Sequence, residues 1–201
     1  MKWIGLTGSI GCGKSTVAAM FAEHGIPIIK TDEISHAVIR KGAPGFAPLL
    51  AHFGNIILSS DGQIDRKKLG EKVFAHEAEL KFVEQILHPL IRDEVKLRTQ
   101  ELMQEKHAAR FCIIEVPLLF ETSWDRMMQA TVVVCCDPTE AIQRASQRLQ
   151  ITRAEVQLRA EAQMSIEEKK KLATFVIDNS GNLDSTRNQV QAVYQKLILQ
   201  A

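Results

Sequence analysis

Gly8-Ser9-Ile10-Gly11-Cys12-Gly13-Lys14-Ser15-Thr16 satisfies the pattern G-x-x-x-x-G-K-[ST], and the chain on either side supplies the context that the pattern requires. The apolar run Trp3-Ile4-Gly5-Leu6-Thr7 before it reads as a strand, and apolar residues at helical spacing follow it. Glycines let such a loop wrap its backbone N–H groups around phosphate oxygens, and the helix that follows points its positive end at them. In that setting Lys14 is a point charge for the β- and γ-phosphates, and the Ser15 hydroxyl is a ligand for Mg²⁺. A Gly-rich turn that merely happens to contain Lys and Ser is the bland alternative, and the flanking strand and helix argue against it.

Working outward, further short apolar runs at residues 26–29, 111–116, 131–136 and 175–177 join residues 3–7 as five expected strands. Ile113, Ile114 and Val116, and the run Thr131-Val132-Val133-Val134, are rich in β-branched residues, as strands covered on both faces should be. Helical patterns separate the runs, which predicts an α/β fold: a P-loop NTPase core with a five-stranded parallel sheet. Gly25 and Pro27 end the first helix, and a strand begins at once. The second strand is expected beside the first.

Residues 32–106 show no convincing strand and read as helices broken at Gly42 to Pro44, Gly54, Ser59 to Gly62 and His88-Pro89, an inserted helical subdomain. Residues 138–171 are charged and helical, with few apolar anchors, and are expected to form a lid. The chain thus reads as one domain, 1–201, whose core comprises residues 1–31, 107–137 and 172–201.

Composition narrows the partners. The 201 residues are 45% hydrophobic and 24% charged, ordinary for a compact soluble domain. Twenty-five Lys and Arg against 24 Asp and Glu leave a net charge of +1, which offers no global field for nucleic acid or an anionic membrane. No stretch approaches the roughly 20 apolar residues of a membrane span. A cytoplasmic protein, monomeric or weakly self-associating, is expected. Cys12, Cys112, Cys135 and Cys136 form no C-x-x-C pair and read as reduced, mostly buried thiols.

Ligands of open α/β sheets bind outside the carboxyl ends of the strands, so the residues just beyond each strand carry the next candidates. Asp32 follows the second strand and is a candidate general base, with a helix N-cap as its structural alternative. Glu115 and Asp137, after the third and fourth strands, are rival acids for Mg²⁺, and Asp137 could instead cap the helix at Pro138. Arg144 and Arg148 are four residues apart and share a helix face, where they could close over transferring phosphate or form a solvated, salt-bridged surface.

In order along nearly the whole chain, Leu6 to Thr16, Asp32, Asp65-Arg66, Ile86-Leu87-His88-Pro89-Leu90-Ile91, Pro117-Leu118-Leu119-Phe120-Glu121, Gln163-Met164-Ser165 and Asp178-Asn179-Ser180-Gly181 resemble the dephospho-CoA kinase family. The loop alone is common to many kinases, whereas the His-Pro-Leu-Ile and Pro-Leu-Leu-Phe-Glu segments are shared with few other families. The resemblance implies phosphate transfer from ATP to the ribose 3′-hydroxyl of dephospho-CoA, the last step of coenzyme A synthesis, with ATP and Mg²⁺ as cofactors. It places the ATP phosphates on Gly11, Cys12, Gly13, Lys14, Ser15 and Thr16, the acceptor hydroxyl at Asp32, and the lid arginines at Arg144 and Arg148. The adenine-side loop falls near Asn179, and His88, Pro89, Pro117 and Leu118 line the acceptor side. Helix termination at Pro89 and core packing of Leu118, Leu119 and Phe120 are the bland readings of those segments.

The chain departs from the family's usual pattern at Ser9, Cys12 and His36, the last a position often filled by Arg. Cys12, beside a helix N-terminus and Lys14, is expected to carry raised thiolate character and hence sensitivity to oxidation. Three other readings remain beside this one. The first is a small-molecule kinase with a nucleoside or sugar-acid acceptor; the second is a nucleotide-dependent switch, for which the chain lacks an Asn-Lys-x-Asp motif; the third is a structural or partner-binding protein with a vestigial loop, against which Lys14, Ser15 and Asp32 are all present.

Overall fold

The structure, a computed structural model, describes residues 1–74, 76–105 and 109–200. It divides into two compact units, one comprising Met1–Lys30 with Leu102–Ala201, the other Thr31–Glu101. The core segment expected to begin at residue 107 has that boundary outside the described residues.

The first unit is built on one parallel sheet of five strands, β1 (Lys2–Gly8), β2 (Ile28–Lys30), β3 (Phe111–Glu115), β4 (Ala130–Cys135) and β5 (Phe175–Asp178), in the order β2-β3-β1-β4-β5. The expected placing of the second strand beside the first is therefore corrected. β3 lies between them, pairing with β1 from Lys2↔Phe111 to Leu6↔Glu115 and with β2 from Ile28↔Ile113 to Lys30↔Glu115. The physical reason lies in the strands themselves. Four of the five β3 residues are buried, which suits an interior place, whereas β2 is three residues long, ends in the exposed Lys30 and follows a proline. Short strands flanked by Pro and charge belong at edges. Pro27 has no N–H for a ladder, so β2 starts at Ile28, although the Pro27 carbonyl still accepts from Ile113 N at 2.9 Å.

Alternate strand residues fill one face. Ile4 and Leu6, Phe111 and Ile113, Val132 and Val134, and Ile177 pack with Val17 and Phe21 of α1 (Lys14–Glu23) and Val190 and Leu197 of α9 (Leu183–Gln200). Each such buried side chain contributes about 1.5–3 kcal/mol. On the opposite face Leu119, fully buried, lies against Gly5 at a distance where a Cβ would crowd it.

Residues 138–171 fold into α6 (Pro138–Leu149), α7 (Arg153–Glu161) and most of α8 (Ile166–Leu172). Local chemistry starts each of the three. Asp137 caps α6 by accepting from Thr139 N and Glu140 N, with Pro138 in the first turn, and Thr152 with Glu155 and Ser165 with Glu168 form reciprocal capping boxes.

The second unit is helical: α2 (Thr31–Ala37), α3 (Phe46–Phe53), α4 (Arg66–Phe74) and α5 (Glu77–Met103), the last running on into the first unit. The helices break where Gly42 to Pro44, Gly54 and Ser59 to Gly62 stand. They do not break at His88-Pro89, which corrects that expectation: α5 runs straight through Pro89. Pro89 and Gln85, the residue whose carbonyl loses its partner, are both exposed, and a break in the ladder on a solvent-facing side costs a helix less than one in its buried face.

Candidate active site

The phosphate loop leaves β1 at Gly8 and enters α1 at Lys14. Gly11 and Gly13 have φ of 78° and 89°, a left-handed region that favours glycine. Space demands glycine as well, since a Cβ at Gly11 would collide with the Ala141 carbonyl of α6 and one at Gly13 with the Asn179 carboxamide. No side chain caps the N-terminus of α1, although Thr16 N–H donates to Gly13 O at 3.0 Å, so the positive start of the helix is open to an anion. Lys14 Nζ donates to the carbonyls of Gly8 at 3.1 Å and Ser9 at 3.0 Å, which holds the ammonium over the loop. Ser15 is exposed and Thr16 half-buried in the first turn of α1.

Cys12 is 1% exposed, and burial pushes its thiol above the ordinary range more strongly than Lys14 and Lys169 pull it down. The expected thiolate character is thus corrected. Burial also raises the other thiols, Cys112 to about 12 and Cys136 to about 11.

Two elements press on the loop from behind. The residue after β5, Asn179, is 5% exposed; its Nδ2 donates to Cys12 O at 2.9 Å, its backbone N–H to Cys135 O at 2.7 Å, and its Oδ1 accepts from the buried Thr186 hydroxyl at 2.9 Å. The Asn179 carboxamide therefore grips the loop. α6 passes on the other side and carries Arg144, whose Nη1 reaches Asn179 O at 3.5 Å while Nη2 pairs with Glu140 at 2.6 Å. Arg148 lies one turn along on the same face and is exposed.

Of the two rival acids, Asp137 is committed to the α6 cap, and Glu115 ends β3, half-buried, opposite Leu6 of β1 in the ladder. The turn beyond β3 is fixed by its carbonyl at Pro117, which accepts from Thr7 Oγ1 at 3.0 Å and from Lys169 Nζ at 3.4 Å. Leu119 and Phe120 of this turn are core, and Leu118 is 39% exposed. Glu121 anchors the far end: its Oε1 pairs with Lys169 Nζ at 2.8 Å and accepts from Met164 N at 3.0 Å. Lys169, 0% exposed, was not anticipated, because the run Lys169-Lys170-Lys171 in a charged helix gives no sign that one of the three is inside. Thr186 was missed for the same kind of reason, a threonine in a polar helix.

In the second unit Asp32 is exposed in the first turn of α2, inside the helix and not before it, so it is not the N-cap. His36, Arg40, Lys41, Gln63 and Arg66 line a cavity of about 450 Å³ that carries cationic side chains and no carboxylate. Burial, then the neighbouring Arg66, hold the His36 imidazole below the ordinary histidine range. His88 and Pro89 lie at a separate hollow of about 410 Å³ with Lys81, Glu84, Gln85 and Arg92.

Comparison with known proteins gives a consistent result. A family model described as dephospho-CoA kinase matches residues 2–185. The chain is similar to the dephospho-CoA kinase of Bdellovibrio bacteriovorus, 38% identical over 197 residues that cover 98% of this chain and 96% of the relative. Among solved structures it is similar to TT1252 from Thermus thermophilus, with TM-score 0.84, 34% identity and coverage of 98% and 97% of the two chains. It is also similar to the dephospho-CoA kinase of Campylobacter jejuni, with TM-score 0.69, 30% identity and 98% of each chain covered.

Proposed function

The chain belongs to the dephospho-CoA kinase family, and from that premise we propose how its own residues perform the transfer. The reaction is ATP-dependent phosphorylation of the ribose 3′-hydroxyl of dephospho-CoA, which gives coenzyme A and completes its biosynthesis. The family match over residues 2–185, on a chain whose phosphate loop has intact geometry, is the observation that carries this reading.

In the proposed mechanism the N–H groups from Gly11 to Thr16 hold the ATP phosphates, and Lys14 moves from the loop carbonyls to the β- and γ-phosphate oxygens. Asp32 takes the proton of the acceptor hydroxyl; it is the first acidic residue beyond β2, and its carboxylate is exposed and ready to accept. Arg144, already at the edge of the loop, neutralises charge on the transferring group, and Arg148 extends that positive face. A lid formed by residues 138–171 excludes water, and the acceptor is held by His88 and Pro89 and by the exposed Leu118 beside Pro117.

The oxygen donors of Ser15 and Glu115 suit Mg²⁺, which prefers few protein oxygens and the substrate's phosphates; among the described residues no cluster of three or more His, Cys, Asp or Glu competes for it. When bound, the ion would neutralise phosphate charge. No described helix is long and apolar enough to cross a membrane. The proposed setting is the cytoplasm, with the chain monomeric or weakly associated and without nucleic-acid partners.

An acceptor panel tests the reading. ADP release with Mg·ATP is expected with dephospho-CoA and not with shikimate, gluconate or nucleosides, and release with one of those instead would overturn it. In the same assay Asp32→Asn is expected to keep ATP affinity and lose about 10²–10⁴ in turnover, so near-normal turnover would remove Asp32 from the mechanism.

A further inference from the structure

The segment Asp178-Asn179-Ser180-Gly181 lies against the phosphate loop, and its backbone seats Arg144. The side chain of Asn179 does something else. Its carboxamide sits between Cys12 O and Thr186 Oγ1, at 2.9 Å from each, in a place where Asn179 is 5% and Thr186 0% exposed.

The chemistry fixes which way the carboxamide faces. Cys12 O can only accept, so the NH₂ group must face the loop, and the oxygen then faces Thr186, whose hydroxyl must donate. The main chain of Asn179 is equally fixed, its N–H donating to Cys135 O at 2.7 Å as β5 ends beside β4. The carboxamide is thus a rigid strut from the end of the sheet to the middle of the loop. At Gly13 the approach is so close that a Cβ would collide with the strut.

A phosphate loop works only while its N–H groups point inward, and every carbonyl that turns inward repels the phosphates. Loop carbonyls must therefore be turned away and satisfied elsewhere, or they carry the cost of a buried unpaired acceptor. Cys12 O, in the centre of the loop, is satisfied by Asn179. We propose that Asn179, locked by Thr186, is a positioning residue for the nucleotide: it holds the Cys12 carbonyl on the buried side so that the loop's N–H groups stay aimed at the phosphates. The inference rests on reading the loop as a phosphate cradle and not on the identity of the acceptor.

The test is the affinity for Mg·ATP measured by titration calorimetry without acceptor, alongside the melting temperature, for Asn179→Ala, Thr186→Val and Thr186→Ser. Asn179→Ala is expected to weaken binding by about tenfold or more. Thr186→Val should follow it in direction, because the freed carboxamide can turn its oxygen towards Cys12, and Thr186→Ser should restore wild-type affinity. The Val and Ser pair decides the matter if Asn179→Ala does not fold. Unchanged affinity in Asn179→Ala or Thr186→Val overturns the proposal, as does a Thr186→Ser protein as weak as Thr186→Val. Wild-type binding of Mg·ATP with no transfer to dephospho-CoA would instead sink the acceptor assignment and leave the strut standing.

Discussion

At Cys12 two effects of opposite sign meet, the positive surroundings of a helix start with Lys14 and Lys169, and the loss of water around a nearly inaccessible sulfur. Loss of water wins over both cations and over the backbone hydrogen bonds of Lys14 and Cys12, because a thiolate there has no solvent to stabilise it. The residue types were legible in the sequence, but burial, which decides the sign, was not. The same limit applies at Asn179, where the motif was plain and the direction of its carboxamide was not. His36 gives a pH prediction. Burial, Arg66 and Arg40 disfavour its protonated form more than Asp32 and Glu33 favour it, so its folded value is depressed. The unfolded chain then takes up the proton first, and His36 contributes stability that is full above the ordinary histidine value and is lost as pH falls from there through the depressed value. Melting temperature should fall more steeply below about pH 6.5 for wild type than for His36→Gln, and parallel curves would contradict this.

At the scale of elements, the site depends on how α8 is tied to the turn after β3. Lys169 is fully buried, and Glu121, 20% exposed, is its carboxylate partner among the described residues, while Pro117 O and Met164 N complete the arrangement. Breaking such a pair from one side leaves a buried charge uncompensated, at about 3–5 kcal/mol, whereas replacing the cation by an apolar chain removes the problem along with the charge. Glu121→Gln is therefore expected to lower thermal stability more than Lys169→Met, and the reverse order in a melting experiment would show that the pair is not what holds the turn. The strands were legible because apolar runs with β-branched residues have few other uses in a short stretch. The place of β2 at the edge and the passage of α5 through Pro89 were not, because both are settled by neighbours, β3 in one case and solvent on the exposed face in the other.

For the whole molecule, the five-stranded parallel sheet and the helical character of Thr31–Glu101 follow from patterns spread over many residues, which is why they could be read in advance. The phosphate loop was legible for the same reason, since an eight-residue pattern between a strand and a helix leaves little freedom. What supports the loop was legible only in part: the motif at Asn179 stood out, but the fold alone brings its carboxamide to Cys12 and joins it to Thr186, and Lys169, which ties down the turn after β3, gave no sign in the sequence. The central claim is that this arrangement moves the γ-phosphate of ATP to one hydroxyl of dephospho-CoA. The most direct measurement is mass and ³¹P NMR analysis of the product formed from Mg·ATP and dephospho-CoA, with Lys14→Ala as control. A product heavier by one phosphoryl group, with a new ribose 3′-phosphomonoester and a rate about 10²–10³-fold lower in the control, is the predicted result. Phosphate on another position, or ADP formed with dephospho-CoA left unmodified, would contradict it.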